Sequence, residues 1–188
     1  MDAFSYLSVL ISIILGFSIT QILSATGRMI RARERVTLYA PPVIWAAVLL
    51  IIDVQMWWAM FGYRTRTQWG FVEFLMLLLQ TICAYMLAAV VLPEEVPEGG
   101  LDLREYYESH SVWLFGFLIA IVVVSILKEV LLEGRLPVPV NLAFHLLLIV
   151  TALAAITIRR AWFQQAMAIS AALTIGVYIA LLFSRLAT

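Results

Sequence analysis

The chain has 188 residues, of which 64% are hydrophobic and only 13% are charged, and its mean hydropathy is +1.01. Because a soluble domain carries about 25% charged residues, this composition excludes an ordinary soluble protein. It predicts an integral membrane protein that contacts the lipid bilayer. The formal net charge is zero, so the chain lacks the basic surface that nucleic acid would require.

Six apolar blocks follow one another along the chain, separated by polar residues or by Pro and Gly. Each block is close to the roughly 20 residues that cross a bilayer as an α-helix. The sequence therefore predicts one all-α domain over residues 1–188. We expect an integral membrane bundle of six transmembrane helices, at about 4–23, 43–62, 71–92, 111–132, 140–158 and 163–184.

Small side chains recur every four residues in the first and last predicted helices. Because such spacing lets helix backbones approach closely, we expect these two helices to pack tightly, on each other or on a second subunit. The partner would then be a copy of this chain, in a homo-oligomer, or another membrane subunit. A polar path along the hydroxyl groups is the alternative. The two stripes are Ser8, Ser12, Gly16 and Thr20, and Ala168, Ala172, Gly176 and Ala180.

Basic residues favour one set of loops. Cytoplasmic loops of membrane proteins carry an excess of Lys and Arg. The bias predicts that the first, third and fifth loops are cytoplasmic and that both termini lie outside, in the periplasm of a bacterial inner membrane. The first, third and fifth loops hold Arg28, Arg31, Arg33, Arg35, Arg104, Arg159 and Arg160, whereas the opposite loops hold Arg64, Arg66 and Arg135.

The longest polar segment is the acidic third loop, residues 93–110. Charge runs are usually solvated, so we expect a connector, with a docking site as the alternative. Glu105, Glu108 and His110 could ligate a metal, but they lack the paired His or Cys spacing of zinc sites. No cofactor is evident from the sequence.

A short echo links the second and fifth predicted helices. Residues 42–52 and 139–149 share Pro, Val, Ala, Leu and Ile at matching positions. Two inverted three-helix halves, a plan that many transporters use, are therefore one hypothesis for the bundle.

Asp53 lies in the middle of the second apolar block. A carboxylate at bilayer depth costs several kcal/mol, so it faces a bundle interior and has a partner. The alternating helix directions place most of the other intramembrane polar residues in the same half of the bilayer. We expect a cluster around Asp53 that contains Gln55, Glu73, Gln80, Lys128, Glu129 and His145.

Three functions are compatible with such a cluster. Side chains that satisfy one another would fix helix register, as in an accessory or scaffold subunit of a larger complex. A carboxylate with a movable partner such as Lys128 or His145 would suit a small cation or proton channel or transporter, the leading hypothesis. An intramembrane enzyme is third, because no metal motif or phosphate-binding loop supports it.

The opening segment Phe4–Gly16 and the arginine-rich exit after Gly27 resemble small bacterial multi-pass inner-membrane proteins of unknown function. The resemblance covers the first two helices and implies no activity. Phe4-Ser5-Tyr6 also resembles the Phe-Ser-Asp start of a six-helix potassium channel family, but Tyr6 replaces the acid, so no pore residue carries over.

Overall fold

The computed structural model describes residues 3–66 and 68–182. This part of the chain forms an all-α bundle whose helices are long and apolar enough to cross a membrane, as predicted. Residues 183–184, the end of the sixth predicted span, lie outside the described residues. The helices are α1 (Ala3–Arg31), α2 (Ala40–Met60), α3 (Phe71–Val91), α4 (Leu103–Glu133), α5 (Pro139–Thr157) and α6 (Ala161–Leu182).

Local sequence explains where several helices begin. Proline occupies the first turn of α2 and of α5, where its fixed φ suits the helix and its missing N–H is not needed. The Glu73 carboxylate accepts the Gly70 N–H at 2.8 Å and closes the first turn of α3. Asp102 accepts the Arg104 N–H at 2.7 Å and caps α4.

Helices α1 and α4 extend eight residues beyond the predicted spans, to Arg31 and from Leu103. The second half of the acidic loop is therefore helical. Hydropathy marks where the membrane ends, not where the helix ends. The polar turns at the start of α4 are stabilised by the Asp102 cap and by an Arg104–Glu108 pair at 2.7 Å.

The six helices form a closed ring rather than two repeated halves. Around the ring, α1 packs on α3, α3 on α4, α4 on α5, α5 on α6, and α6 on α2, which returns to α1. In the described residues α1 runs along α3, whereas α4 runs along α5 and not along α6. The two halves predicted as inverted repeats, α1–α3 and α4–α6, therefore match in the lengths of their helices but not in the order in which the helices pack.

The two stripes of small residues do not face each other, because α1 packs on α2 and α3 and α6 packs on α2 and α5. Each stripe drifts from the interior to the surface: Ser8 and Ser12 are half-buried, whereas Gly16 and Thr20 are exposed. In α6 the same drift runs from buried Ala168 through half-buried Ala172 to exposed Gly176 and Ala180. Packing on a second subunit remains a hypothesis.

One end of the ring is filled with large side chains. Trp45 and Phe115 pack edge to face with ring centroids 5.5 Å apart, and Tyr107 contacts Phe115 at 6.3 Å. Strand β1 (Val36–Thr37) pairs in parallel with β2 (Leu101–Asp102) and joins the first and third loops at this end. We call it the packed end.

The opposite end carries the second and fourth loops. Arg66 ties them together: its guanidinium pairs with Glu73, and Nη1 donates to the Leu132 carbonyl at 3.1 Å. Tyr63 and Trp69 pack edge to face beside it, with centroids 6.0 Å apart. A cavity lies between these contacts, and we call this end of the ring the open end.

Candidate functional site

The open end leads into a cavity of about 310 Å³ that lies among the helices. Its mouth includes Tyr63, Glu133 and Arg135, of which the last two are exposed. All six helices contribute to its wall, and α1 supplies the apolar residues Ile11 and Leu15. Further in, the wall is polar and includes Gln55, Gln80, Ser125, Lys128, Glu129 and Asn141.

A second cavity of about 80 Å³ lies toward the packed end. The two cavities share Gln55, Gln80 and Ser125, so they meet at these side chains. The inner cavity is walled mainly by apolar side chains, including Leu118 and Ile121. Polarity therefore falls with depth, from a charged mouth to an apolar floor.

Gln80 is the most telling polar group of the wall. It is 92% buried, since only 8% of its side chain is exposed. Within the described residues, neither its amide nor that of Gln55 has a hydrogen-bond partner. Neither amide is among the side-chain atoms that are shut off from solvent without a partner, so both face the cavities, where water or a solute can bind them.

Lys128 and Glu129 bring opposite charges to the wall of the larger cavity. Glu129 Oε2 accepts a hydrogen bond from the Asn141 amide at 2.9 Å. The Lys128 ammonium lies 5.9 Å from the ring centroid of Tyr63, and no described carboxylate lies within 4 Å of it. Both side chains are half-buried. Although adjacent on the helix, they form no ion pair within 4 Å.

His145 is held by two hydrogen bonds at the wall of the inner cavity. Its Nδ1 lies 2.7 Å from the Asn141 carbonyl, which can only accept, so Nδ1 carries the hydrogen. Nε2 lies 3.1 Å from Ser125 Oγ and can accept the hydroxyl hydrogen. The Ser125 hydroxyl, the His145 imidazole and the Asn141 carbonyl are thus connected by two successive hydrogen bonds.

Asp53 lies outside this arrangement. It is only 2% exposed, and the Ser18 hydroxyl of α1 donates to its Oδ2 at 2.7 Å. The walls of the two cavities do not include it. The predicted cluster centred on Asp53 therefore divides: Asp53 joins α2 to α1, because its side chain points away from the face that carries Gln55.

Glu73 also has a separate place. It pairs with Arg66 and caps α3 at the open end. Of the seven residues predicted to cluster, the structure brings together the other five at the two cavities: Gln55, Gln80, Lys128, Glu129 and His145.

The acidic segment offers no alternative centre in the part of the chain that is described. Glu108 pairs with Arg104 at 2.7 Å, and His110 stacks on Tyr106 with centroids 4.2 Å apart. Among these residues, no three His, Cys, Asp or Glu side chains are close enough to hold a metal ion.

Sequence reasoning missed four residues of the site: Ser125, Asn141, Tyr63 and Tyr178 line the cavities. Asn141 was the one with a usable signal, because an Asn in the first turn of an apolar helix four residues before a His lies on the same face. Ser125 and the two tyrosines carried none, since such residues are common in membrane helices and at interfaces.

Comparison with known proteins found no matching family model, no matching curated protein and no matching solved structure. The geometry of the site is therefore the basis for a function.

Proposed function

We propose that this polytopic membrane protein is a transporter that binds a small polar solute in the cavity between Gln80 and the open end. The observation that carries the proposal is the amide of Gln80, which has no hydrogen-bond partner among the described residues and faces the junction of the two cavities inside the bundle. Transporters place their solute sites near the middle of the bilayer, between helices. A volume of about 310 Å³ falls at the lower end of ligand pockets, roughly 300–1,000 Å³.

A transporter is favoured over an open channel because large side chains fill the ring at the packed end, whereas a cavity enters it at the open end. Conduction needs a continuous polar path, whereas Trp45, Tyr107 and Phe115 fill the packed end. A solute that enters from the open end therefore meets a barrier, and passage requires that the packed end rearrange. With the orientation that the arginine bias predicts, the cavity opens outside the cytoplasm.

The proposal keeps a cation among the candidate solutes but moves the site. Transport centred on Asp53 has no support from the geometry. Its carboxylate accepts a hydrogen bond from the Ser18 hydroxyl, and neither cavity reaches it. Lys128 and Glu129 at the cavity wall take over the role that the sequence suggested for Asp53.

The test is solute-dependent stabilisation of the purified protein, with a panel of inorganic cations, sugars, polyols, amino acids, carboxylic acids and amines. A solute that binds the folded state raises the melting temperature. Ala59 lines the larger cavity, and Ala59→Phe fills it without removing a hydrogen bond. We expect at least one solute to stabilise the wild type, and Ala59→Phe to lose that response.

Two variants serve as controls for this test. Ala143→Phe makes the same substitution at an exposed position of α5 outside both cavity walls, and Asp53→Asn alters the buried carboxylate. Both should retain the wild-type response. Stabilisation that survives in Ala59→Phe, or that disappears in Asp53→Asn while persisting in Ala59→Phe, would contradict the proposed site.

A second candidate, an intramembrane hydrolase, is favoured by one contact. Ser125 Oγ and His145 Nε2 are 3.1 Å apart, and the Asn141 carbonyl orients the imidazole, which is the relation that activates a serine nucleophile. The amides of Gln55 and Gln80 could stabilise an oxyanion in the same cavity.

A fluorophosphonate probe distinguishes this candidate, since it forms a covalent bond with activated serines only. A hydrolase predicts labelling of the wild type and none of Ser125→Ala, with Ser111→Ala, which removes a buried serine elsewhere in α4, labelled like the wild type. A transporter in which Ser125 only positions His145 predicts no labelling of any of the three.

The accessory-subunit hypothesis has one supporting feature, the exposed ends of the two small-residue stripes at Gly16 and Gly176. A second helix could approach closely there. Purification in mild detergent separates the cases, because an accessory subunit carries its partner with it and a transporter does not need one.

A further inference from the structure

The charges at the cavity are balanced, but the inner two form no ion pair within 4 Å in the described residues. Lys128 and Glu129 lie in the inner part of the wall, and Glu133 and Arg135 lie at the mouth. The mouth pair is exposed and 4.0 Å apart, so water screens it. The inner two are half-buried, and each is therefore more sensitive to what enters the cavity.

The two inner charged groups, Glu129 and Lys128, differ in how their side chains are held. Glu129 keeps one carboxylate oxygen bound to the Asn141 amide, which fixes its direction and leaves its other oxygen without a hydrogen-bond donor among the described residues. The Lys128 ammonium lies 5.9 Å from the centroid of the Tyr63 ring, and within the described residues it makes no hydrogen bond or ion pair that would engage its three N–H donors. The cavity thus offers a fixed acceptor and a donor.

This pattern disfavours ions of a single sign. A simple cation that approaches Glu129 enters the field of Lys128, and a simple anion that approaches Lys128 enters the field of Glu129. A solute that carries both charges on one small skeleton satisfies both groups at once. The uncharged amides of Gln55 and Gln80, deeper in the cavity, can bind polar atoms of the same solute without requiring a charge.

We infer that the solute is a small zwitterion, with its carboxylate facing Lys128 and its ammonium group facing Glu129. The inference rests on the proposed transporter function and names the class of solute for the same cavity. The apolar floor formed by Leu118 and Ile121 would accept a short aliphatic side chain. An α-amino acid has this combination of groups.

The experiment uses the purified 188-residue chain, the cations, sugars and polyols of the panel above, and three further sets of probes: the twenty common α-amino acids, the carboxylic acids that lack only the amine, and the amines that lack only the carboxylate. Affinity is measured by the rise in melting temperature with concentration. We expect at least one amino acid to bind at least tenfold more tightly than its acid, its amine, or an equimolar mixture of the two.

Two variants assign the charges. Lys128→Met keeps the length of the stem, and Glu129→Gln keeps an oxygen that can accept from Asn141. Lys128→Met should bind the amino acid no more tightly than the amine, with affinity for the amine unchanged. Glu129→Gln should bind it no more tightly than the acid. The unchanged analogue in each case reports that the variant is folded.

The outcomes separate the two levels of the argument. If a cation, sugar or polyol binds and no amino acid does, the cavity is a solute site but the zwitterion is wrong. The zwitterion is also wrong if the acid or the amine alone binds the wild type as tightly as the amino acid. If no probe in any set binds, the transporter proposal itself fails.

Discussion

Replacing Gln80 with leucine is expected to stabilise the solute-free protein and to abolish solute binding. The Gln80 amide faces the junction of two cavities without a partner in the described residues, and the residue is only 8% exposed. An apolar side chain of similar size removes a partly desolvated amide, and we expect a gain of about 1 kcal/mol, the low end of the cost of an unpaired polar group. It also removes the group that the solute would bind, and we expect affinity to fall at least tenfold. The substitution is thus expected to raise stability while it removes solute binding, a trade-off that is common at ligand sites.

Thermal unfolding of the detergent-solubilised protein, with and without the stabilising solute, measures both effects in Gln80→Leu. The matched control is Gln165→Leu, because Gln165 is exposed near the start of α6 and lines neither cavity. This control should bind normally. A Gln80→Leu protein that is less stable than the wild type and still binds solute would show that the amide is a structural group.

The same substitution at Gln164 should have the opposite sign. Gln164 is 3% exposed and fully engaged: its Oε1 accepts the Tyr107 hydroxyl at 2.7 Å. Its Nε2 donates to the carbonyls of Ala155 and Ile158, each at 2.8 Å. These carbonyls end α5 and have no N–H of a following turn to bond. Gln164→Leu would leave the buried Tyr107 hydroxyl and Ala155 carbonyl, and the partly buried Ile158 carbonyl, without this partner, at a cost of about 2–3 kcal/mol.

Loss of Gln164 should also loosen the packed end, because its side chain joins α4, α5 and α6 there. Tyr107→Phe removes only one of the three hydrogen bonds and should cost less, in the same unfolding measurement. The decisive comparison is between Gln80→Leu and Gln164→Leu. If both destabilise to the same extent, Gln80 has a protein partner of its own and the cavity argument loses its main support.

The contrast between these two glutamines explains how the ring produces a site. At the packed end, long polar turns of α4 fold over the loops and large aromatic side chains fill the ring. At the open end, Arg66 joins α3 to α4 at the rim, so the helices stay apart without filling the space between them. The Arg66 contacts hold the helices in place at the open end, and the space between the helices is left unfilled. A solute-binding cavity needs both features.

Hydropathy predicted the six helices because bilayer thickness sets a length that any apolar block reveals. It also predicted that Gln55, Gln80, Lys128, Glu129 and His145 meet, because depth along each helix follows from residue number alone. Asp53 was misplaced because depth does not specify direction around the helix. Ser18, which binds Asp53, could be recognised only after α1 was seen to pack on α2 and α3.

Tertiary packing also decides whether the two small-residue stripes face each other. Spacing of four predicts a close approach but does not name the partner, and the ring order keeps α1 away from α6. Likewise the echo between the second and fifth helices reflected similar proline starts, which local chemistry favours in any helix. Neither pattern contains the long-range contacts that close the ring.

The central claim is that, while no solute is bound, water reaches the middle of the bundle from one side only, so the test is made without solute. Two matched Ser→Cys variants in a Cys83→Ala background test it: Ser125→Cys at the junction of the cavities, and Ser111→Cys, which is buried near the packed end. Arg135→Cys at the mouth reports which face a reagent is on. A membrane-impermeant thiol reagent is applied to oriented vesicles from each side in turn. We expect Ser125→Cys to react only from the side that labels Arg135→Cys, and Ser111→Cys to react from neither. Reaction of Ser125→Cys from both sides, or from neither, would contradict the account.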